Sequence, residues 1–394
     1  MRRGLLAIVA AALALAPAAA SSSLPLTTRL ANALAVGGNS SSLSSVVALD
    51  LRSGNVVFAR HADLALEPAS NEKLAITYAA LRDLGGTYRF KTDALLAGGT
   101  LYLKGFGDPT LTSARLDKLA AQVAAAGVTH AGRLVADESW FDTRRTAPGW
   151  KASFLIGECP PLSALIVDRA FYDHHVALNP AVAAAGVFRK LLRKHGVATG
   201  PVGVGRAPTS SKPVGEVESA PLTGVLKAMD RDSDNFRAEM VLKELGAQIR
   251  GLGTTAAGAA VVRHDLAADG IPLTGVVIAD GSGLSQLDRL TATALTSLLQ
   301  AAWNNPVMKL PFWSALPVAG VNGTLERRME KAPARGAVRA KTGTTNEASA
   351  LSGFVRDRYV FAVLQNGAPV LTWSARKAED RFATALASAS EQAQ

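Results

Sequence analysis

The sequence has 394 residues, 48% of them hydrophobic and 19% charged, which is too long for one ordinary core and too apolar for a disordered chain. Its single cysteine, Cys159, excludes an internal disulfide framework and any cysteine-rich zinc ribbon. A formal charge of +10 favours anionic partners, whether nucleic acid, a membrane surface or an anionic polymer, and does not choose among them.

Arg2 and Arg3 precede an apolar run from Leu5 to Ala16; Pro17 breaks that run, and Ala18-Ala19-Ala20 stands before Ser21. This is the pattern of a secretory signal peptide over residues 1–20, and the run is shorter than the about 20 residues that a membrane span needs. Export to the periplasm or to the extracellular cell wall sets nucleic acid aside and leaves an anionic wall polymer or a membrane surface as the polyanion. Cys159 then reads as a buried, inert thiol.

A short helix is expected over Leu26–Leu34, followed by strands at Val46–Leu51 and Val56–Arg60 joined by the Arg52-Ser53-Gly54-Asn55 turn. Leu74, Tyr78 and Leu81 recur at i, i+4, i+7 and predict a helix from Ser70 to Leu84, ended by Gly85-Gly86. From Lys91 to about Pro221 come short strands such as Thr100–Lys104 and Gly132–Asp137, separated by Gly and Pro turns, and this stretch reads as a region of its own. Helices return at Leu222–Met229, Asn235–Leu245 and Thr254–Asp265. A strand at Gly275–Ala279 and a helix at Thr291–Ala302 precede strands at Val338–Lys341, Ala348–Val355 and Tyr359–Leu364. A last helix begins near Ser374, with Arg376, Lys377, Asp380 and Arg381 as a solvated face. Strands at both ends with helices between suit an α/β sandwich whose antiparallel sheet pairs N- and C-terminal strands.

Three short motifs carry chemistry. Ser70-Asn71-Glu72-Lys73 is an S-x-x-K at a helix start, where residues three apart share a face and the helix dipole favours a developing anion. A lysine one turn away can take the serine proton if its amine is neutral. Ser233-Asp234-Asn235 precedes another helix, where Asp232, Ser233 and Asp234 are all good caps. Lys341-Thr342-Gly343 lies on an expected strand. Each match is weak alone, and Ser374-Ala375-Arg376-Lys377 is a second S-x-x-K. Only one set runs S-x-x-K, S-D-N, K-T-G in order, the signature of penicillin-recognising serine acyltransferases.

On these motifs the sequence resembles the low-molecular-mass class C penicillin-binding proteins, D-alanyl-D-alanine carboxypeptidases with endopeptidase activity. Leu101-Tyr102-Leu103-Lys104-Gly105-Phe106-Gly107-Asp108-Pro109, Asp280-Gly281-Ser282-Gly283-Leu284-Ser285 and Ala350-Leu351-Ser352-Gly353-Phe354-Val355 look like further stretches of that family. The resemblance implies an α+β fold. Its core is a penicillin-recognising, serine transpeptidase-like α/β sandwich on an antiparallel sheet, discontinuous over 24–88 and 222–394. A strand-rich insert, of one domain or two nested ones, occupies 89–221.

The resemblance also implies roles. Ser70 is the nucleophile and Lys73 its base, kept neutral by burial and by the Lys341 cation. Ser233 relays a proton to the leaving amine, Asn235 holds Lys73, and Lys341, Thr342, Gly343 and Thr344 bind the substrate's terminal carboxylate and backbone. The backbone N–H groups of Ser70 and Thr344 form the oxyanion hole. The implied substrates are peptidoglycan peptides ending in D-Ala-D-Ala, with β-lactams as covalent inhibitors and no metal or cofactor. The insert is expected to be dispensable for acylation. Two rival readings share the core: a secreted serine β-lactamase and a catalytically silent wall-binding protein.

Overall fold

The computed structural model describes residues 24–35, 43–172 and 174–392; the expected signal peptide and Asp173 lie outside them. In chain order α1 (Leu26–Leu34), β1 (Ser44–Asp50), β2 (Val56–Arg60) and α2 (Glu72–Asp83) come first. Then follow β3 (Lys91–Ala97), β4 (Thr100–Gly105), α3 (Ser113–Ala125), β5 (Arg133–Asp137), α4 (Pro180–Lys194), β6 (Val202–Val204) and β7 (Lys212–Glu218). Helices α5 (Leu222–Arg231), α6 (Asn235–Arg250), α7 (Thr255–Ala268), α8 (Ala292–Asn304) and α9 (Lys309–Ala315) lead to β8 (Val338–Thr344), β9 (Ala348–Val355), β10 (Tyr359–Asn366) and α10 (Thr372–Gln392).

Strands β1, β9 and β10 are apolar on both faces, so they can be satisfied only between two layers of helices. They form an antiparallel sheet in the order β8-β9-β10-β1-β2, which joins the two ends of the chain. Val47, Leu49, Val360, Ala362 and Leu364 pack toward α2 and α5–α9, while Val46, Ala48, Phe361 and Val363 pack toward α1 and α10. Burying each large side chain of these layers contributes roughly 1.5–3 kcal/mol, which offsets the backbone entropy of ordering them.

Strand β8 is at the sheet's edge, and an unpaired edge invites another strand. Its first half is covered: Ala319 donates to the Val338 carbonyl and Ala340 donates to that of Pro317. The cover stops there, so the Lys341–Thr344 half faces the cleft.

A second five-stranded sheet, in the order β6-β5-β4-β3-β7, takes all its strands from residues 91–218. It is mixed: β5 runs parallel to β4 and β6, and β3 antiparallel to β4 and β7. Helices α3 and α4, which the strand-based reading of this region did not include, pack Leu116, Leu119, Val123, Phe188 and Leu192 into its core. The i, i+3, i+7 spacing of Leu116, Leu119 and Val123 was readable as a helical stripe. A separate cluster of Phe141, Cys159, Leu162, Ile166, Phe236 and Met240 joins this region to α6.

The expected strand at Gly275–Ala279 reduces to one bridge between Val277 and Arg289. The segment is a loop instead, because Gly275 has φ +75° and Asp288 takes the backbone N–H groups of Ala279 and Asp280 through its side chain. No helix among the described residues is long and apolar enough to cross a membrane.

Candidate active site

The S-x-x-K motif does not open as a regular helix. Ala69–Asn71 forms a 3-10 turn, with Ala69 at φ +45°, and α2 begins at Glu72. Ser70 therefore stands on a tight turn at the mouth of a cleft, while Lys73 lies in the first turn of α2 and is fully buried. Lys73 Nζ donates to Ser70 Oγ at 2.9 Å, to Asn235 Oδ1 at 2.8 Å and to the Ser282 carbonyl at 2.5 Å.

The second motif is arranged by its own capping. Asp234, not Ser233, caps α6 by accepting from the Arg237 backbone N–H. Ser233 is held at φ +58° in the preceding turn, and its Oγ accepts from Lys341 Nζ at 2.8 Å. Asn235, the first residue of α6, uses both ends of its amide: Oδ1 accepts from Lys73, and Nδ2 donates to the Glu158 carbonyl at 3.2 Å.

The third motif sits against the first because its glycine has no side chain. A Cβ on Gly343 would lie 2.8 Å from the Pro68 carbonyl oxygen and 3.1 Å from Ala69 Cβ. Asn71 Nδ2 donates to the Lys341 carbonyl at 3.2 Å, locking the turn onto β8. Lys341, also fully buried, donates to the Thr342 carbonyl at 2.8 Å, and Thr342 Oγ1 donates to Thr324 Oγ1 at 2.7 Å. Ser70, Ser233, Thr342 and Thr344 line one pocket of about 400 Å³. Behind that lining, buried Lys73 and Lys341 contact Ser70 and Ser233, Asn235 contacts Lys73, and Gly343 lies between Thr342 and Thr344 on β8, so the expected site residues are brought together here.

Four features escaped the sequence reading. Thr324, Arg327 and Arg328 line the pocket from the segment that precedes β8. Arg376 lines it too and donates to Thr344 Oγ1 at 3.1 Å, so it is not merely part of a solvated face. Its place inside the second S-x-x-K drew attention to Ser374 instead. The Ser282 carbonyl is the third feature: it also accepts from Ser70 Oγ at 3.3 Å, and a backbone oxygen carries no motif.

The fourth is the insert's share of the cleft. Trp150 Nε1 donates to Asp280 Oδ2 at 2.8 Å, and Asp280 in turn accepts from the backbone of Gly283 and Ser285. Arg169 pairs with Asp234, and Lys151 Nζ lies 3.1 Å from Glu347 Oε1. With the Glu158 carbonyl on Asn235, these contacts argue against an insert without a part in acylation.

Burial pushes the Lys73 amine below its ordinary value, against the pull of the Asp280, Glu239, Asp230 and Asp234 carboxylates. Burial, and then the charge of Lys73, push Lys341 well below its ordinary value, with Asp230 opposing. Desolvation is therefore the cause that lowers the Lys73 amine, and the Lys341 cation, to which the sequence reading gave an equal part, is not among the main charges acting on it. The acids around Lys73 move the opposite way. Burial and the Asp280 charge raise Glu239 to about 8, although it accepts from the Gly281 and Ser282 backbone N–H groups. Burial, Asp280 and Glu239 push Glu72 well above the usual carboxylate range. Protonated acids pull less on the Lys73 proton, so the pocket's dryness favours a free base on both sides of the balance.

No group of three or more acids, histidines or cysteines among the described residues could hold a metal ion. Cys159 is buried, and burial raises its thiol well above the ordinary value.

The sequence matches the family described as D-Ala-D-Ala carboxypeptidase 3 (S13) over residues 26–179 and 174–389. It is 31% identical to a D-alanyl-D-alanine carboxypeptidase of an Actinomadura species, covering 82% of this chain and 78% of that one. It is 30% identical to the carboxypeptidase DacB of Mycolicibacterium smegmatis, covering 81% and 75%. In fold it is similar to penicillin binding protein 4 of Haemophilus influenzae, with a TM-score of 0.80, 22% identity, and 92% and 98% of the two chains covered. The same protein complexed with a β-lactam gives a TM-score of 0.75 over the same shares.

Proposed function

The chain belongs to the D-Ala-D-Ala carboxypeptidase 3 (S13) family, and from that premise we propose that its hydrolysis runs through an acyl-enzyme on Ser70. It is a serine-type D-Ala-D-Ala carboxypeptidase of the penicillin-binding fold, acting on peptidoglycan peptides and acylated by β-lactams. The observation that carries the residue assignment is the contact of buried Lys73 Nζ with Ser70 Oγ at 2.9 Å, inside a pocket shared by all three motifs.

In this reading, the penultimate D-Ala carbonyl of the substrate sits at Ser70, and the terminal carboxylate reaches Thr342, Thr344 and the Lys341 charge. The substrate backbone pairs with the open half of β8 as an added strand. Neutral Lys73 takes the Ser70 proton as Oγ attacks, and the backbone N–H groups of Ser70 and Thr344 hold the oxyanion. Ser233, placed on Lys341 Nζ, passes a proton to the departing D-alanine amine. The C–N bond breaks, leaving an ester on Ser70 that water hydrolyses, with Lys73 again as base. Asn235 fixes Lys73 between helix and loop. Residues 24–88 and 222–394 form the catalytic domain, with 89–221 as an insert that closes one side of the cleft. The chain works outside the cytoplasm, the purpose of the N-terminal signal pattern.

A fluorescent penicillin and a denaturing gel test this. A lasting band that disappears in Ser70→Ala supports the proposal. Rapid antibiotic turnover without a band would indicate a β-lactamase, and no reaction would indicate a wall-binding protein.

A further inference from the structure

Lys73 as a base must be aimed as well as neutral. As an ammonium, its Nζ can donate to all three of its neighbours; as the free amine it has two hydrogens and one lone pair. Two of those neighbours can only accept. Asn235 Oδ1, at 2.8 Å, is turned toward Lys73 because Nδ2 of the same amide donates to the Glu158 carbonyl, and the Ser282 carbonyl stands at 2.5 Å. With both hydrogens taken by these acceptors, the lone pair is left for Ser70 Oγ at 2.9 Å. The Ser70 hydroxyl has only a longer alternative, the Ser282 oxygen at 3.3 Å. Without the Ser282 acceptor the amine is free to turn a hydrogen toward Ser70 and its lone pair away.

A backbone carbonyl points where its loop is held. Asp280 takes the N–H groups of Gly283 and Ser285, which shapes the loop from within. Glu239, on α6, takes the N–H groups of Gly281 and Ser282 on Oε1 at 2.9 and 2.8 Å. The loop lies directly on the helix there: a Cβ on Gly281 would be 2.7 Å from the Ala238 carbonyl oxygen. Glu239 is fully buried and is not part of the Ser70 pocket's lining. It stands one turn after Asn235 on the same face of α6. One helix therefore places both acceptors of Lys73, Asn235 directly and the Ser282 carbonyl through Glu239.

We propose that Glu239 is a positioning residue for proton transfer: by holding the Ser282 backbone it keeps that carbonyl on Lys73 Nζ and so aims the amine's lone pair at Ser70. The proposal rests on the acyl-enzyme at Ser70 and deepens it with a residue behind the pocket. In the step it serves, the Ser70 O–H bond breaks as Oγ bonds to the substrate carbonyl carbon. The proton passes to the Lys73 lone pair, and the two hydrogens already on Nζ stay on Asn235 and Ser282. Lys73 then carries the charge until Ser233 passes a proton to the leaving amine.

Two substitutions separate position from charge, since the Glu239 carboxyl faces Lys73 together with Glu72 and Asp280. Glu239→Gln keeps an oxygen where Oε1 stands and removes any charge. Glu239→Asp keeps the carboxylate and draws it back by one C–C bond, about 1.5 Å. Stopped-flow acylation by a fluorescent penicillin resolves the first-order acylation constant from noncovalent binding. Glu239→Gln should retain the acylation constant within about threefold, whereas Glu239→Asp should lower it about thirtyfold or more, as a displacement near 1 Å does. Noncovalent binding should not change in either. Glu239→Met, of similar length and without an oxygen, should follow Glu239→Asp and decides the matter if the latter does not fold, with thermal melts showing which preparations are folded. The reverse order, Gln slow and Asp fast, would overturn the proposal in favour of a charge effect. Equal rates in all folded variants, or a loss confined to binding or to melting temperature, would overturn it in favour of a purely structural role. A Gln variant slowed about tenfold overturns it alone, since the acceptor is still in place. Wild type that is not labelled at Ser70 refutes the catalytic reading beneath; labelled wild type with any of these failures refutes the part given to Glu239 alone.

Discussion

Gly283 is where the structure makes its sharpest demand on the catalytic turn. The Asp280–Ser285 loop passes so close to the nucleophile that a Cβ on Gly283 would lie 1.9 Å from the Ala69 carbonyl oxygen and 3.0 Å from the Ser70 nitrogen. Carbon–oxygen contacts close only to about 3.3 Å, so Gly283→Ala demands a relative shift of about 1.4 Å between the loop and the Ser70 turn. Both parties are backbone and cannot rotate away. The loop is held by Asp280 and Glu239 through the backbone of residues 281–283 and 285, which leaves the turn to move. A misplacement near 1 Å costs about a hundredfold in rate. Moreover, the Ser282 carbonyl is the acceptor that places both Ser70 Oγ and Lys73 Nζ. Gly283→Ala should therefore slow penicillin acylation by about a hundredfold or more in a protein that still folds. Gly283 has φ +77°, which by itself costs an alanine about 1–2 kcal/mol. Gly251→Ala supplies the control: its φ is +68° and no atom lies within 4 Å of the new Cβ, so it carries the backbone cost alone. Stopped-flow acylation and thermal melts of the two variants separate strain from misplacement. Acylation by Gly283→Ala at the wild-type rate would refute the idea that this loop positions the nucleophile.

Lys341→Ala should lower acylation at pH 6 roughly 10- to 150-fold, the worth of a charge-assisted bond of about 1.5–3 kcal/mol, and because burial and Lys73 push Lys341 well below its ordinary value the loss should shrink as pH rises toward 9. An equal loss at every pH from 6 to 9 would contradict the lowered value of Lys341. Glu239 is raised to about 8 in the folded protein, so ionising it opposes folding: its contribution is complete below its unfolded value near 4.5 and is lost as pH rises through 8. The melting temperature of Glu239→Gln relative to wild type should thus climb between pH 5 and 9, and a constant difference would contradict the shift. Trp150→Phe keeps most of the packing but removes the 2.8 Å bond to Asp280, and should slow acylation several-fold with little change in melting temperature. An unchanged rate would return the insert to the status of a bystander in acylation.

Much of this protein is fixed by local chemistry that a sequence carries in plain view. The near-continuous apolar runs of β1, β9 and β10, the Leu74, Tyr78 and Leu81 stripe of α2 at a period of 3.6 and the glycine stops specify strands and helices from local sequence alone. The three motifs are legible for the same reason: Ser70 with Lys73, Ser233 with Asn235, and Lys341 with Gly343 are each only a few residues apart. Contacts between segments distant along the chain have no such signature. Arg376 reaches Thr344 because α10 packs back across the sheet, Trp150 reaches Asp280 across the interface between insert and core, and the Ser282 carbonyl is placed by a loop whose hydrogen bonds end on α6. The state of Lys73 belongs to this second kind. Side-chain type makes the amine a possible base, but the burial that lowers its proton affinity comes from packed layers contributed by most of the chain, and only the folded molecule brings them together.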